Sequence, residues 1–219
     1  FKNIESEISE IENKLYMSMN QDSVNVELDL NDLKLKLKNI REILISDHQS
    51  LFLDQLDDLI LKVEIFGYHF ATLDIRQDSR IHSYVFNKII KKIKPTDFNN
   101  YNRSKYIEKS KFLSSIHGDF KPSFFSDELV SSTLGSIRAM QKIQKSNGES
   151  GCHRYIISNN QTAINILEVF TMFKISGWKK NTFDIIPLFE TISDLDIAVN
   201  IMDKIYSNDD YRNHLSYRN

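Results

Sequence analysis

The stretch that decides the fold is Phe66-Gly67-Tyr68-His69-Phe70-Ala71-Thr72-Leu73-Asp74-Ile75-Arg76-Gln77-Asp78. A helix is expected to close at Gly67, where a residue with no Cβ can take a left-handed turn, and an extended run follows. Side chains alternate faces along a strand. Phe70, Thr72, Asp74 and Arg76 then share one face, and Ala71, Leu73 and Ile75 the other. An acid and a base on one face at the exit of a strand are costly to bury unless paired or bound. Two readings stay open: a structural ion pair, or a strand end that faces a ligand.

Downstream, Ile81, Val85, Ile89 and Ile93 have helical spacing, and Pro95 stops the run. Lys88, Lys91, Lys92 and Lys94 cluster near its C-terminus, where cations suit the helix dipole. They read as a solvated face. With no interleaved aromatic platform, a nucleic-acid patch is the poorer reading. Asp97 to Asn102 is turn-rich, Tyr106 to Ile116 is helical, and the stretch from Gly118 to Ser126 is a loop containing Pro122. A helix over Leu129 to Ile143 ends at Ser146-Asn147-Gly148.

Arg154 to Ser158 reads as a second strand and Asp184 to Phe189 as a third. Pro187 fits only where no ladder donor is needed. Between them, Asn160 is expected to cap a helix whose face is Ala163, Ile166, Leu167, Phe170 and Phe173, with Gly177 as its stop. After the third strand, Ser193 with Asp196 reads as a capping-box variant. It opens a helix with apolar face Leu195, Val199, Met202 and Ile205, and a short helix follows from Asp209.

Upstream of Gly67 the chain reads as three amphipathic helices. Ile4, Ile8, Ile11 and Leu15 mark the first. Leu30, Leu33, Leu37, Ile40 and Leu44 mark the second, with Asp29 or Asn31 as N-cap. Leu56, Leu59, Ile60 and Val63 mark the third, and residues 20–25 form a polar loop. Residues 1–65 are expected to be a helical layer over the strands, and 66–219 to be strand-helix units. The predicted class is α/β, helix-dominated: a partial α/β barrel of about three parallel strands with surrounding helices.

The chain has 219 residues, 41% hydrophobic and 26% charged, which suits one globular region. A net charge of -2 gives no field that selects nucleic acid or an anionic membrane. No apolar run is long enough for a membrane helix, and the charged first residues are not a signal peptide. Cys152 is the one cysteine, so no internal disulfide forms. Cys152 and His153 are adjacent on a strand and point to opposite faces, so they read as packing rather than a shared metal site. Phe1 is not a natural start, and the chain reads as a piece of a longer protein.

Two blocks carry a family resemblance. Phe66-Gly67, followed by Leu73-Asp74-Ile75-Arg76-Gln77-Asp78-Ser79 and His82, resembles the strand of phosphoenolpyruvate carboxylases that ends in an arginine. Asp184 to Leu195 resembles the Pro-Leu-Phe-Glu-Thr segment of that family. The blocks have the family's order and spacing, and the helical stretches around them are compatible with it. The resemblance therefore covers most of the chain.

The resemblance implies carboxylation of phosphoenolpyruvate by bicarbonate to oxaloacetate and phosphate, in a cytoplasmic homotetramer with no membrane or nucleic-acid partner. It implies that Arg76 binds the phosphate of phosphoenolpyruvate, a task suited to a guanidinium fork. Glu190 is implied as a ligand of Mg²⁺ or Mn²⁺, which take hard oxygen donors and keep several waters. Asp74 would position its neighbours, and His82 would orient the arginine loop. The family's catalytic histidine motif, Thr-Ala-His-Pro-Thr, is expected upstream and its second acidic ligand downstream. The piece alone therefore has no catalytic residue of its own and is expected to be inactive. The chain departs from the family at Cys152-His153-Arg154, where small residues are common, and at Asn159-Asn160. The alternative is a non-catalytic helical interaction or structural module with the same fold, which would need neither Arg76 nor Glu190.

Overall fold

The computed structural model describes residues 2–20 and 28–218. Beyond Asn20, the loop expected at 20–25 lies outside the described residues. The chain divides into two compact units, one made of 1–72 with 142–152 and the other of 73–141 with 153–219.

The first unit is helical. Helices α1 (Lys2–Asn20), α2 (Leu30–Asp47) and α3 (Leu53–Phe66) build a core from the apolar stripes of the sequence. Ile4, Ile11, Leu33, Leu37, Ile40 and Leu44 are buried in it, with Leu56, Ile60 and Val63 packed against them. Ile8, expected on the stripe of α1, is half exposed. Asp29 caps α2 by accepting a hydrogen bond from the Asn31 N–H at 2.8 Å. Arg41 of α2 holds Asp57 of α3 at 2.6 Å. Gly67 ends α3 at φ 51°, and a Cβ there would lie 3.1 Å from the His69 ring and 3.2 Å from Leu30. Only glycine fits both the backbone and the space.

The second unit is organised on a parallel sheet of three strands, in the order β1 (Asp74–Asp78), β2 (Arg154–Ser158), β3 (Asp184–Pro187). The first strand starts later than the sequence reading had it. Phe70 has φ 59°, which breaks the alternation, and β2 offers ladder partners only from Arg154, opposite Asp74. Asp74 is therefore the first residue of β1, and Arg76 lies within the strand rather than after it. β3 stops at Pro187. The N–H groups of Asp184 and Leu188 donate to His153 O at 2.7 Å and Ile157 O at 2.9 Å. Pro187, out of phase with them, points its nitrogen away from β2, so no ladder bond is lost.

One sheet face is packed. Tyr155, Ile157 and Ile185 meet Val85, Phe86, Ile89 and Ile90 of α4 (Ser79–Ile93) and the apolar face of α8 (Ala163–Lys174), all buried. Phe173 of α8 stands edge-on to Tyr155 and stacks on Phe183, with ring centroids 3.9 Å apart. The other face, with Asp74, Arg76 and Arg154, is left more open.

Between β1 and β2 run α5 (Phe98–Arg103), α6 (Tyr106–Ser115) and α7 (Glu128–Asn147). The turn expected at Asp97 to Asn102 is thus a short helix. Its Tyr101 is buried, with its ring tilted against those of Phe86 and Phe112. The cap of α8 is not Asn160 but Thr162, in a reciprocal box with Asn165. The cap of α9 (Ile192–Tyr206) is not Ser193 but Thr191, boxed with Asp194. Both corrections shift the cap to a threonine three residues before a polar N3 side chain that can reach back. α9 buries Ile201 and Ile205, whereas Leu195 and Val199 are 60% and 77% exposed. The expected stripe is wider than the arc that the described neighbours cover. α10 (Asp209–Arg218) closes the unit, with the Tyr211 hydroxyl donating to Ile185 O at 3.3 Å. Among the described residues, no helix is long and apolar enough to cross a membrane.

Candidate functional site

The carboxyl ends of the three strands come together on the open face. Arg76 projects from β1, and its Nη2 donates to Glu190 Oε1 at 2.7 Å. The backbone N–H of Asn159, just past β2, donates to Glu190 Oε2 at 3.3 Å. Glu190 follows β3, and its own N–H donates to Asp194 Oδ2 at 3.2 Å. One carboxylate is thus gripped by groups from the first two strands, while the α9 cap holds its backbone. Asn159 can turn its N–H inward because it sits at φ 51°, a conformation asparagine tolerates better than most residues. Its carbonyl accepts from Ser79 Oγ at 2.5 Å, tying the β2 exit to the start of α4.

Both members of the pair remain reachable. Arg76 is 56% exposed and Glu190 44%, so this is a wet strand end and not a buried ion pair. Arginine carries five N–H donors in a fixed fork, and one of them serves Glu190. The rest can meet an oxyanion.

Asp74 and Arg76 do not pair with each other, although they share a face of β1. Asp74 accepts from Arg154 Nε at 2.7 Å, directly across the ladder. The open face therefore carries two cross-strand ion pairs of opposite polarity, Asp74 with Arg154 and Arg76 with Glu190. Arg154 stands out in the sequence as the start of the second strand and as a departure from the family, but nothing local to it points to Asp74 as its partner. The sequence also flags Asn159, without giving it a role. There the signal was an asparagine directly after a strand, where positive φ is common for that residue.

His82 is not beside Arg76. It is fully buried on the packed face, with its Nε2 2.9 Å from the Tyr155 hydroxyl. Burial pushes its pKa down to about 4, so the ring is neutral. From there it joins α4 to β2 through the Tyr155 hydroxyl. Asp78 caps α4 through the Arg80 N–H at 2.8 Å, and the Arg80 guanidinium holds its pKa down to about 2.

A divalent cation needs several oxygen ligands. Among the described residues, no group of three or more His, Cys, Asp or Glu side chains could hold one. At the carboxyl end of the strands, the carboxylate that faces Arg76 is Glu190. It fits as a single ligand in a site completed by other groups.

The match to known proteins spans almost the whole chain. The family model for phosphoenolpyruvate carboxylase covers residues 3–219. The chain is 30% identical over 217 residues to a phosphoenolpyruvate carboxylase of Prochlorococcus marinus (strain MIT 9301), covering 95% of the chain and 20% of that protein. It is 32% identical over 200 residues to the corresponding enzyme of Nitrosomonas europaea, covering 86% of the chain and 21% of the relative. A Gloeobacter violaceus enzyme of the same name is 29% identical over 171 residues, with 74% and 18% covered. The chain spans about one fifth of the length of these relatives. With a match of this extent, and with the arginine strand and the Leu-Phe-Glu-Thr segment meeting at one sheet end, the chain belongs to the phosphoenolpyruvate carboxylase family.

Proposed function

We propose that this chain supplies part of the substrate site of a longer phosphoenolpyruvate carboxylase, a cytoplasmic carbon-carbon lyase acting as a homotetramer on phosphoenolpyruvate and bicarbonate. The observation that carries this reading is the contact between Arg76 and Glu190 at an exposed strand end. In parallel α/β architectures, chemistry is placed at the carboxyl ends of the strands. The overall reaction moves the phosphoryl group of phosphoenolpyruvate to bicarbonate, leaving carboxyphosphate and an enolate. Carboxyphosphate releases carbon dioxide and phosphate, and the enolate carbon attacks the carbon dioxide to give oxaloacetate.

In this scheme Arg76 binds and orients the phosphoryl oxygens, with charge-assisted hydrogen bonds that strengthen as charge builds on them. Glu190 would provide one oxygen ligand for Mg²⁺ or Mn²⁺. When bound, that ion would neutralise developing negative charge. Arg76 would exchange Glu190 for the phosphoryl oxygens, and Glu190, freed of Arg76, would be the residue that holds the ion. Asn159 and the α9 cap keep the Glu190 backbone and one carboxylate oxygen in place while Arg76 turns away.

The test uses the full-length enzyme. Arg76→Ala should lower kcat/KM for phosphoenolpyruvate about tenfold or more, as expected for a lost charge-assisted contact of about 1.5–3 kcal/mol, with a smaller effect on bicarbonate. Unchanged steady-state parameters would reject the assignment and favour the non-catalytic module.

A further inference from the structure

A cavity of about 590 Å³ opens in the second unit among helices α4, α5, α6, α8 and α9, and neither Arg76 nor Glu190 lines it. Its size is in the range of small-molecule sites, about 300–1,000 Å³. We propose that it binds a small organic anion, whose carboxylate or phosphate group is held by the ammonium groups of Lys109 and Lys204.

The charges in the wall select the sign of the ligand. Lys109 and Lys204 are the cations that line the cavity. Neither forms an ion pair with a carboxylate among the described residues. Each stands over a tyrosine of the same wall, Lys109 at 5.0 Å from the Tyr101 ring centre and Lys204 at 5.7 Å from that of Tyr106. These contacts hold the ammonium groups at the cavity without neutralising them.

Glu168 is the acid in the lining, and it is not available to a cationic ligand. It is 4% exposed. Its Oε1 accepts from the Tyr101 hydroxyl at 2.7 Å and its Oε2 from Ser83 Oγ at 2.9 Å. A cation could use it only by displacing those donors. Glu168 instead attracts Lys109, whose charge opposes the upward push of burial on the Glu168 pKa. The first turn of α8, Thr162 to Asn165, completes the wall and adds its positive helix end to the same field.

The experiment is a ¹⁵N NMR titration of the 219-residue chain with inorganic phosphate, succinate and, as a neutral control, glycerol. Phosphate or succinate should produce saturable shifts centred on Ser83, Tyr101 and Thr162 to Asn165, with Kd near about 1 mM. The preferred probe separates a phosphate from a carboxylate ligand. Glycerol should produce none. Lys109→Met combined with Lys204→Met should weaken binding about tenfold or more with the rest of the spectrum unchanged, whereas Lys109→Arg should retain it. Non-saturating shifts spread over the surface lysines, equal binding of glycerol, or full affinity in the double variant would overturn the proposal.

Discussion

The guanidinium of Arg76 and the carboxylate of Glu190, 114 residues apart in the chain, meet at 2.7 Å across the sheet. They do so because β2 lies between β1 and β3 with all three strands parallel. An arginine in the first strand and a carboxylate just after the third then project over the exit of the middle one.

Exposed ion pairs contribute roughly 0–1 kcal/mol to stability, and this pair is 56% and 44% exposed. A double-mutant cycle with Arg76→Ala and Glu190→Gln in the 219-residue chain should return a coupling below about 1 kcal/mol by urea unfolding. The same substitutions in the full-length enzyme should each cost far more in turnover. A coupling of several kcal/mol would mean that the pair exists for the fold.

The 219-residue chain should show no turnover of phosphoenolpyruvate and bicarbonate when oxaloacetate is followed through malate dehydrogenase. The reason is that Glu190 has no ligand cluster around it: among the described residues no group of three or more His, Cys, Asp or Glu side chains could hold an ion. Activity above a protein-free control would contradict this.

Acid should loosen the packed side of the sheet through His82. Its pKa is depressed in the fold, from 6.5 to about 4, by burial. The unfolded chain therefore binds the proton more readily, and stability rises with pH across this interval. The contribution is intact above about pH 6.5 and is lost as pH falls towards 4. It amounts to about 3 kcal/mol. His214, buried against Phe183, acts in the same direction, also with a pKa near 4. Glu168, raised by burial, acts in the opposite one. Urea midpoints from pH 7.5 to 4.5 should fall less steeply for His82→Gln than for the parent, and identical slopes would show that His82 is not a source of the effect.

Asn159 holds a backbone conformation that β-branched residues avoid, at φ 51°. Asn159→Gly should be tolerated within a few tenths of a kcal/mol, while Asn159→Val should destabilise by about 1–2 kcal/mol. Chemical denaturation reads the difference. Because the Asn159 N–H holds Glu190, the valine variant should also impair the full-length enzyme, whereas the glycine variant should not.

The cap of α9 should matter in proportion to one satisfied helix end. Thr191 Oγ1 accepts from the Asp194 N–H at 3.1 Å, and Asp194 Oδ2 accepts from the N–H groups of Thr191 and Glu190 at 3.0 and 3.2 Å. Thr191→Ala should cost about 1 kcal/mol by thermal or urea unfolding. No loss would show that the box does not hold the helix start.

Local patterns in the sequence determined much of the fold. The span of β2, the proline stop after α4, the buried face of α8 and the compatibility of Pro187 with β3 all follow from alternation, helical spacing and proline chemistry, which act over a few residues. The arginine and glutamate blocks were legible for the same reason: each is a short run with its own residue order. Tertiary structure alone decided which strand supplies a partner and from where. It delayed β1 to Asp74, gave Asp74 to Arg154 rather than to Arg76, and sent His82 to the packed face beneath Tyr155. It also decided which arc of α9 is covered. Ladder bonds, ion pairs and burial depend on what lies alongside an element, and neighbours brought from a hundred residues away leave no period in the local sequence.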